Sequence, residues 1–179
     1  IWMDRNLGAS QVATGVTDAS SFGDFYQWGR PADGHQLSTS ANTSTLSTSD
    51  LPGNSLFITG SGDWRNPSNN NLWQGVNGKN NPCPKGFTLP TSLELDAEIA
   101  TWFSKDSKGA FASPLKMPVA GYRDFRNGGA LQDVSNIGFY WSSTVDDGSH
   151  SLLLTVYTSD ARIQGSFRST GSSVRCIKN

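Results

Sequence analysis

Side chains suited to acid–base or metal chemistry are scarce in this 179-residue chain, which holds two histidines, His35 and His150, and two cysteines, Cys83 and Cys176. Each histidine stands next to an Asp-Gly signal, Asp33-Gly34 or Asp147-Gly148, so both belong in turns. The pair Asp146-Asp147 has the residue type for proton transfer or calcium, but neighbouring aspartates in a turn are ordinarily solvated. No serine lies in a G-x-S-x-G elbow, and the H-E-x-x-H and P-loop patterns are absent. Gly60-Ser61-Gly62 lacks the Gly-Lys-Ser/Thr continuation that a phosphate cradle needs. The chain is therefore not expected to be an enzyme, and neither a metal nor a cofactor is expected.

Cys83 and Cys176 stand 93 positions apart, too far for a local redox or zinc motif. They are either two separate thiols or one disulfide tying mid-chain to the last residues. Ser-, Thr- and Asn-rich composition suits an exported protein, where a bridge would persist, and this favours the disulfide.

The elements that must position these groups are read from composition and pattern. Charged residues make up only 16% and the net charge is −1, which removes the basic footprint of a general nucleic-acid binder. The longest apolar run, 152–154, is far too short to span a bilayer, so direct membrane insertion is not expected. Six Trp and nine Phe supply core anchors despite a hydrophobic content of 35%. The chain opens on Ile1-Trp2-Met3 and reads as a processed piece, with any leader or anchor outside it. Nine of the twelve residues 38–49 are Ser or Thr, an irregular loop. The polar stretch through Asn69, Asn70 and Asn71 carries Trp73, which should pin that loop to the body.

One helix is expected at about 91–104. Thr91 and Glu94 form a capping box, and Leu95, Ile99, Trp102 and Phe103 form one apolar stripe. Strands are expected at 117–122, 139–144, 151–157, 161–168 and 173–177. Alternation along 151–157 assigns Leu152, Leu154 and Val156 to the core and leaves Ser151, Leu153, Thr155 and Tyr157 on the opposite face. The fold class is α+β in a single domain over residues 1–179.

Six blocks carry a family resemblance. They are Trp2 to Ala9 (WMDRNLGA), Gly23 to Arg30 (GDFYQWGR), Asn81 to Thr91 (NPCPKGFTLPT), Pro118 to Arg123 (PVAGYR), Gly138 to Thr144 (GFYWSST) and Ser173 to Ile177 (SVRCI). In this order they resemble the Fibrobacter succinogenes major paralogous domain family, bacterial proteins with a C-type-lectin-like fold. The resemblance implies short antiparallel sheets, one helix, long ordered loops, and a bridge from the helix approach (Cys83) to the final strand (Cys176). Trp28, Tyr140 and Trp141 fall inside shared blocks and should be scaffold.

Some members of that family are target proteins of diversity-generating retroelements, in which the segment between the YWSS and SVRC blocks is rewritten at adenines to vary ligand binding. Here that segment is 144–172. Rewritten AAY codons do not yield Lys, Glu, Met, Trp or Gln; residues 146–172 contain none of the first four, although the chain holds sixteen of them elsewhere. Gln164 departs from this pattern. The resemblance thus implies a non-catalytic receptor-binding or adhesin domain on a bacterial surface or phage particle. Its candidate ligand-binding residues are Asp146, Asp147, Ser149, His150, Ser151, Leu153, Thr155, Tyr157, Ser159, Asp160, Arg162, Ser166 and Arg168. The partner would be a protein or glycan on another cell or host surface, not nucleic acid. The calcium-dependent sugar signatures EPN, QPD and WND are absent. The alternative is a structural cell-envelope surface domain with a fixed partner and no variable site.

Overall fold

The computed structural model describes residues 1–75 and 77–178. In chain order the strands are β1 (Tyr26–Gln27), β2 (Asn42–Thr43), β3 (Phe57–Ile58) and β4 (Phe87–Thr88), followed by helices α1 (Ser92–Ala100) and α2 (Ser107–Ala112). Then come β5 (Tyr122–Asp124), β6 (Ala130–Gln132), β7 (Gly138–Val145), β8 (His150–Val156), β9 (Ala161–Phe167), β10 (Gly171–Ser172) and β11 (Ile177–Lys178). The architecture is α+β with mostly short antiparallel sheets. The central sheet has the order β7-β8-β9, and a second has the order β1-β10-β5-β6. β11 pairs with β4, and among the described strands β2 and β3 form the one parallel pair.

α1 forms where the capping box predicts it. The Thr91 hydroxyl accepts the Glu94 N–H, and the Glu94 carboxylate accepts the Thr91 N–H at 2.7 Å, so two otherwise orphaned donors are satisfied. The helix ends at Ala100, earlier than residue 104. The Trp102 N–H bonds the Ile99 carbonyl and the Thr101 hydroxyl donates to the Glu98 carbonyl, tightening the last turn. Leu95, Ile99 and Trp102 are buried, but Phe103 has left the stripe and is 75% exposed. α2 then starts on its own cap, Asp106, which accepts the Gly109 N–H. Gly109 is required there, because a Cβ would sit 1.8 Å from the Ser104 carbonyl oxygen.

Of the 117–122 strand only Tyr122 enters a sheet, at the start of β5; Met117, Val119 and Gly121 bond instead to the backbone of Ala110, Val16 and Ile137. Of the 173–177 strand, Ile177 alone enters a sheet, although Ser173 bridges Tyr140.

The central sheet is buried on both faces. On one, Tyr140, Leu154, Val156 and Ala161 meet Leu95 and Ile99 of α1. On the other, Trp141 and Leu153 join Trp28, Trp73, Leu89, Val174 and Cys176. This overturns the expectation of an open face on β8: Ser151, Leu153 and Thr155 are all 0% exposed, whereas Leu152 is only half-buried. The cause is the loop-rich first half of the chain, which folds over the sheet's second face and leaves β8 a central strand between two covers.

Tryptophans and arginines hold those loops. Trp28, Trp64, Trp73 and Trp141 are buried, and each indole N–H donates to a carbonyl on another segment: Ser142, Trp28, Asn80 and Tyr26, at 2.7–2.9 Å. Arg123 lies over the Phe57 ring at 4.0 Å and donates to the carbonyls of His35, Leu37, Ser40 and Gly129. Burial among carbonyls lowers its pKa to about 10. Cys83 and Cys176 form a disulfide with their Cα atoms 6.0 Å apart. Closing so long a loop stabilises by about 4–5 kcal/mol in the chain-entropy treatment. No helix among the described residues is long and apolar enough to cross a membrane.

Candidate functional site

The two histidines have different surroundings. His35 is buried, its Nδ1 2.6 Å from Asp33 Oδ1, while its Nε2 accepts the Gln27 backbone N–H at 3.0 Å. A carboxylate accepts only, so Nδ1 carries the proton. Both ring nitrogens are then occupied internally, and burial lowers the pKa to about 4. His35 is a structural hydrogen-bonding group with no free nitrogen for a substrate. His150 is half-buried at the start of β8, its Nδ1 2.7 Å from Asp147 Oδ1, and its ring packs on Phe167 with centroids 4.2 Å apart.

The thirteen candidate residues divide into three groups. Asp146, Asp147 and Ser149 form the β7–β8 turn and lead into His150, close to Ser166 near the end of β9. Tyr157, Ser159 and Asp160 form the β8–β9 turn with Arg162, at the other end of the sheet, roughly 20 Å away along a seven-residue strand. There Arg162 lies over the Tyr157 ring at 5.1 Å and pairs with Asp160 at 2.6 Å. The remaining four, Ser151, Leu153, Thr155 and Arg168, are buried and are not part of the surface.

Arg168 is the clearest correction. Only 1% exposed, it donates to Ser151 Oγ, Asn70 Oδ1 and the His150 carbonyl, and covers the Trp28 ring at 4.6 Å. Asp63 Oδ2 stands 3.5 Å away, an ion pair too long to be a hydrogen bond. Burial lowers the Arg168 pKa and raises that of Asp63. The side chain ties the Asn69–Asn70 loop to β8.

A cavity of about 220 Å³ lies beside β9. Phe139 and Tyr122, stacked with centroids 4.6 Å apart, form part of its wall, and His150 and Phe167 another. Gln164, Gly165 and Ser166 of β9 line it, with Thr170 and the exposed Arg126. Arg126 Nε donates to Asp124 Oδ1 at 3.0 Å, which raises the arginine's pKa. The Tyr122 hydroxyl is raised as well, first by desolvation and then by the charges of Asp124 and Asp133.

Of the cavity's lining, sequence reasoning reached His150 and Ser166 and missed Tyr122, Arg126, Phe139, Gln164, Gly165, Phe167 and Thr170. Tyr122 and Phe139 lie in blocks read as scaffold, yet only Tyr140 and Trp141 of the Phe-Tyr-Trp run enter the core clusters as buried residues. Strand alternation puts Phe139 and Trp141 on the same side, but the half-buried position of Phe139 carried no sequence signal. Among the described residues no cluster of three or more His, Cys, Asp or Glu could hold a metal ion. The lining offers aromatic rings, hydroxyls, an amide and a guanidinium paired with Asp124.

Neither a family model nor a curated protein nor a solved structure matches the chain.

Proposed function

We propose that this chain is a non-catalytic ligand-binding domain, a receptor-binding or adhesin module with a C-type-lectin-like fold, exported and displayed on a bacterial surface or phage particle. In this reading segment 144–172 is the diversified target of a retroelement. One observation carries it: in that segment the exposed and half-buried candidates sit on two turns, the first residue of β8 and β9, whereas Ser151, Leu153, Thr155 and Arg168 are fixed in the scaffold. Side chains on such turns and strands can change without disturbing the core. The six sequence blocks, the short sheets, the capped helix and the disulfide support the fold assignment. The disulfide also supports an oxidising, exported location.

Deep sequencing of the gene from a growing population, read beside its genomic neighbourhood, tests the reading. Substitutions should concentrate at adenines in the codons of Asp146, Asp147, Ser149, His150, Tyr157, Ser159, Asp160, Arg162 and Ser166, and spare Leu153 to Val156 and Arg168. A template repeat and a reverse-transcriptase gene should lie nearby. A segment as quiet as the rest of the gene would overturn diversification and leave a surface domain with a fixed partner.

A further inference from the structure

The two edges of the central sheet are finished differently. On β7 the outward groups are taken: the Trp141 N–H donates to the Ser173 carbonyl, the Phe139 carbonyl accepts the Ser173 N–H, and the Ser143 N–H donates to the Pro90 carbonyl. β9 is the other edge. The Arg168 N–H bonds the Ser149 carbonyl just beyond one end of the β8–β9 ladder, and the Tyr157 N–H bonds the Asp160 carbonyl just beyond the other. Alternation between these two pairs directs Arg162, Gln164 and Ser166 at β8 and turns the N–H and C=O groups of Ile163 and Gly165 away from it. Those four groups have no partner among the described residues.

Gly165 has no side chain, so its exposure is that of the backbone itself. The usual protections of an edge are missing. The β8–β9 register runs without a bulge, β9 holds neither Pro nor Lys, and its one charged side chain, Arg162, is occupied by Tyr157 and Asp160. The opening is short, because Ala161 is buried in the cluster under α1 and the Phe167 ring abuts Gly62.

A strand added here would meet Ile163, half-buried at the rim of the α1 cluster, and Gly165, where Asp146 Oδ2 lies 2.5 Å from the place of a Cβ. The exposed Asp146 carboxylate has no partner among the described residues. An apolar residue opposite Ile163 and a lysine or arginine opposite Gly165 therefore fit best. A second copy of β9 does not supply this match, since on that face it would present Ala161, Ile163, Gly165 and Phe167, without a cation.

We infer that β9 accepts an extended segment of a protein partner as a fourth, antiparallel strand of the central sheet, held by the N–H and C=O groups of Ile163 and Gly165, with Asp146 selecting a basic residue opposite Gly165. The inference rests on the ligand-binding reading above and names its partner class. Main-chain bonds do not depend on side-chain identity, so this attachment would survive diversification of Arg162 and Ser166.

The heptapeptide Ac-Thr-Val-Thr-Lys-Thr-Val-Thr-NH2, titrated into the disulfide-intact chain, tests it. Paired antiparallel, its lysine stands opposite Gly165 and its second valine opposite Ile163. Amide exchange at Ile163 and Gly165 should slow on binding, while Arg162 and Gln164, already bonded to β8, should change little. N-methylation of the lysine and the second valine blocks groups that face β9 and should weaken binding at least about tenfold. N-methylation of the two threonines beside the lysine touches groups that face away and should leave binding within about twofold of the parent. Replacing the lysine by glutamate should weaken binding about threefold, and Asp146→Lys, on an exposed turn, should invert that preference. A folding defect would not invert it. Equal loss with either N-methylation pattern, or unchanged exchange at Ile163 and Gly165 at the highest soluble peptide concentration, would overturn strand addition. Protection of these amides that rises with protein concentration alone would give the edge to a second copy and overturn it too. Each of these results leaves diversification to the population sequencing.

Discussion

Arg168 and Arg162 are six residues apart, and both lie over an aromatic ring with a carboxylate close by. Arg168 rests on Trp28 near Asp63 in the interior, and Arg162 rests on Tyr157 beside Asp160 in solvent. Each combines a ring with a carboxylate, yet the two serve different purposes. The buried guanidinium has given up its water, so its hydrogen bonds to Ser151, Asn70 and His150 must all be in place, and they hold β8 and the Asn69–Asn70 loop to the end of β9. The exposed one is replaceable, because water takes over whatever it releases. Residue type and sequence position alone do not separate scaffold from surface; the number of segments that a side chain joins does.

Breaking the buried partner should have the largest effect. Arg168→Ala removes a cation from beside the buried Asp63, orphans the acceptors on Ser151 and Asn70 and frees the Asn69–Asn70 loop, so it should cost about 3–5 kcal/mol, read as a lowered urea midpoint. If the loss were no larger than that of Arg162→Ala, the contrast would fail.

Acid probes the same buried region with a somewhat smaller effect. His35, held neutral between Asp33 and the Gln27 N–H, has a folded pKa of about 4 against an ordinary 6.5. Below 6.5 the unfolded chain gains a proton that the folded chain refuses, so stability is intact above that pH. It should fall by up to about 3 kcal/mol as the pH drops toward about 4. Urea midpoints across this window, with imidazole signals to follow both histidines, check it. Asp24 and Asp63, raised by burial, act in the opposite direction but only within the carboxylate range.

The exposed pair gives the smallest expected change. Arg162→Ala should alter stability by no more than about 0.5 kcal/mol in the same measurement. A loss above about 2 kcal/mol would place Arg162 among the structural arginines.

Part of this organisation is visible in the residues themselves. The Thr91–Glu94 capping box signals α1 because a cap is a local contact between four consecutive residues. Trp73 in an Asn-rich stretch signals a pinned loop, since an indole is costly to leave in water. β8 was misjudged because alternation assumes a solvated face, whereas the run Leu152-Leu153-Leu154 already hinted at covers on both sides. α2 escaped notice because it is only six residues long and includes Gly109, a helix-weakening residue needed where the Ser104 carbonyl comes close. The cavity was least legible, since β5, β7 and β9 meet there through long-range packing that no local spacing encodes.

The disulfide has a mechanical consequence. The ends of the described chain lie side by side: Trp2 bridges Ile177, and the Lys178 N–H donates to the Ile1 carbonyl at 2.6 Å. Tension applied at those ends would peel this pair apart and soon reach Cys176, from which the covalent path runs directly to Cys83. Residues 84–175 then lie off the load path. Both helices, the central sheet and the entire cavity belong to that sheltered stretch, while only the loops of the first 83 residues and a short tail can be drawn out.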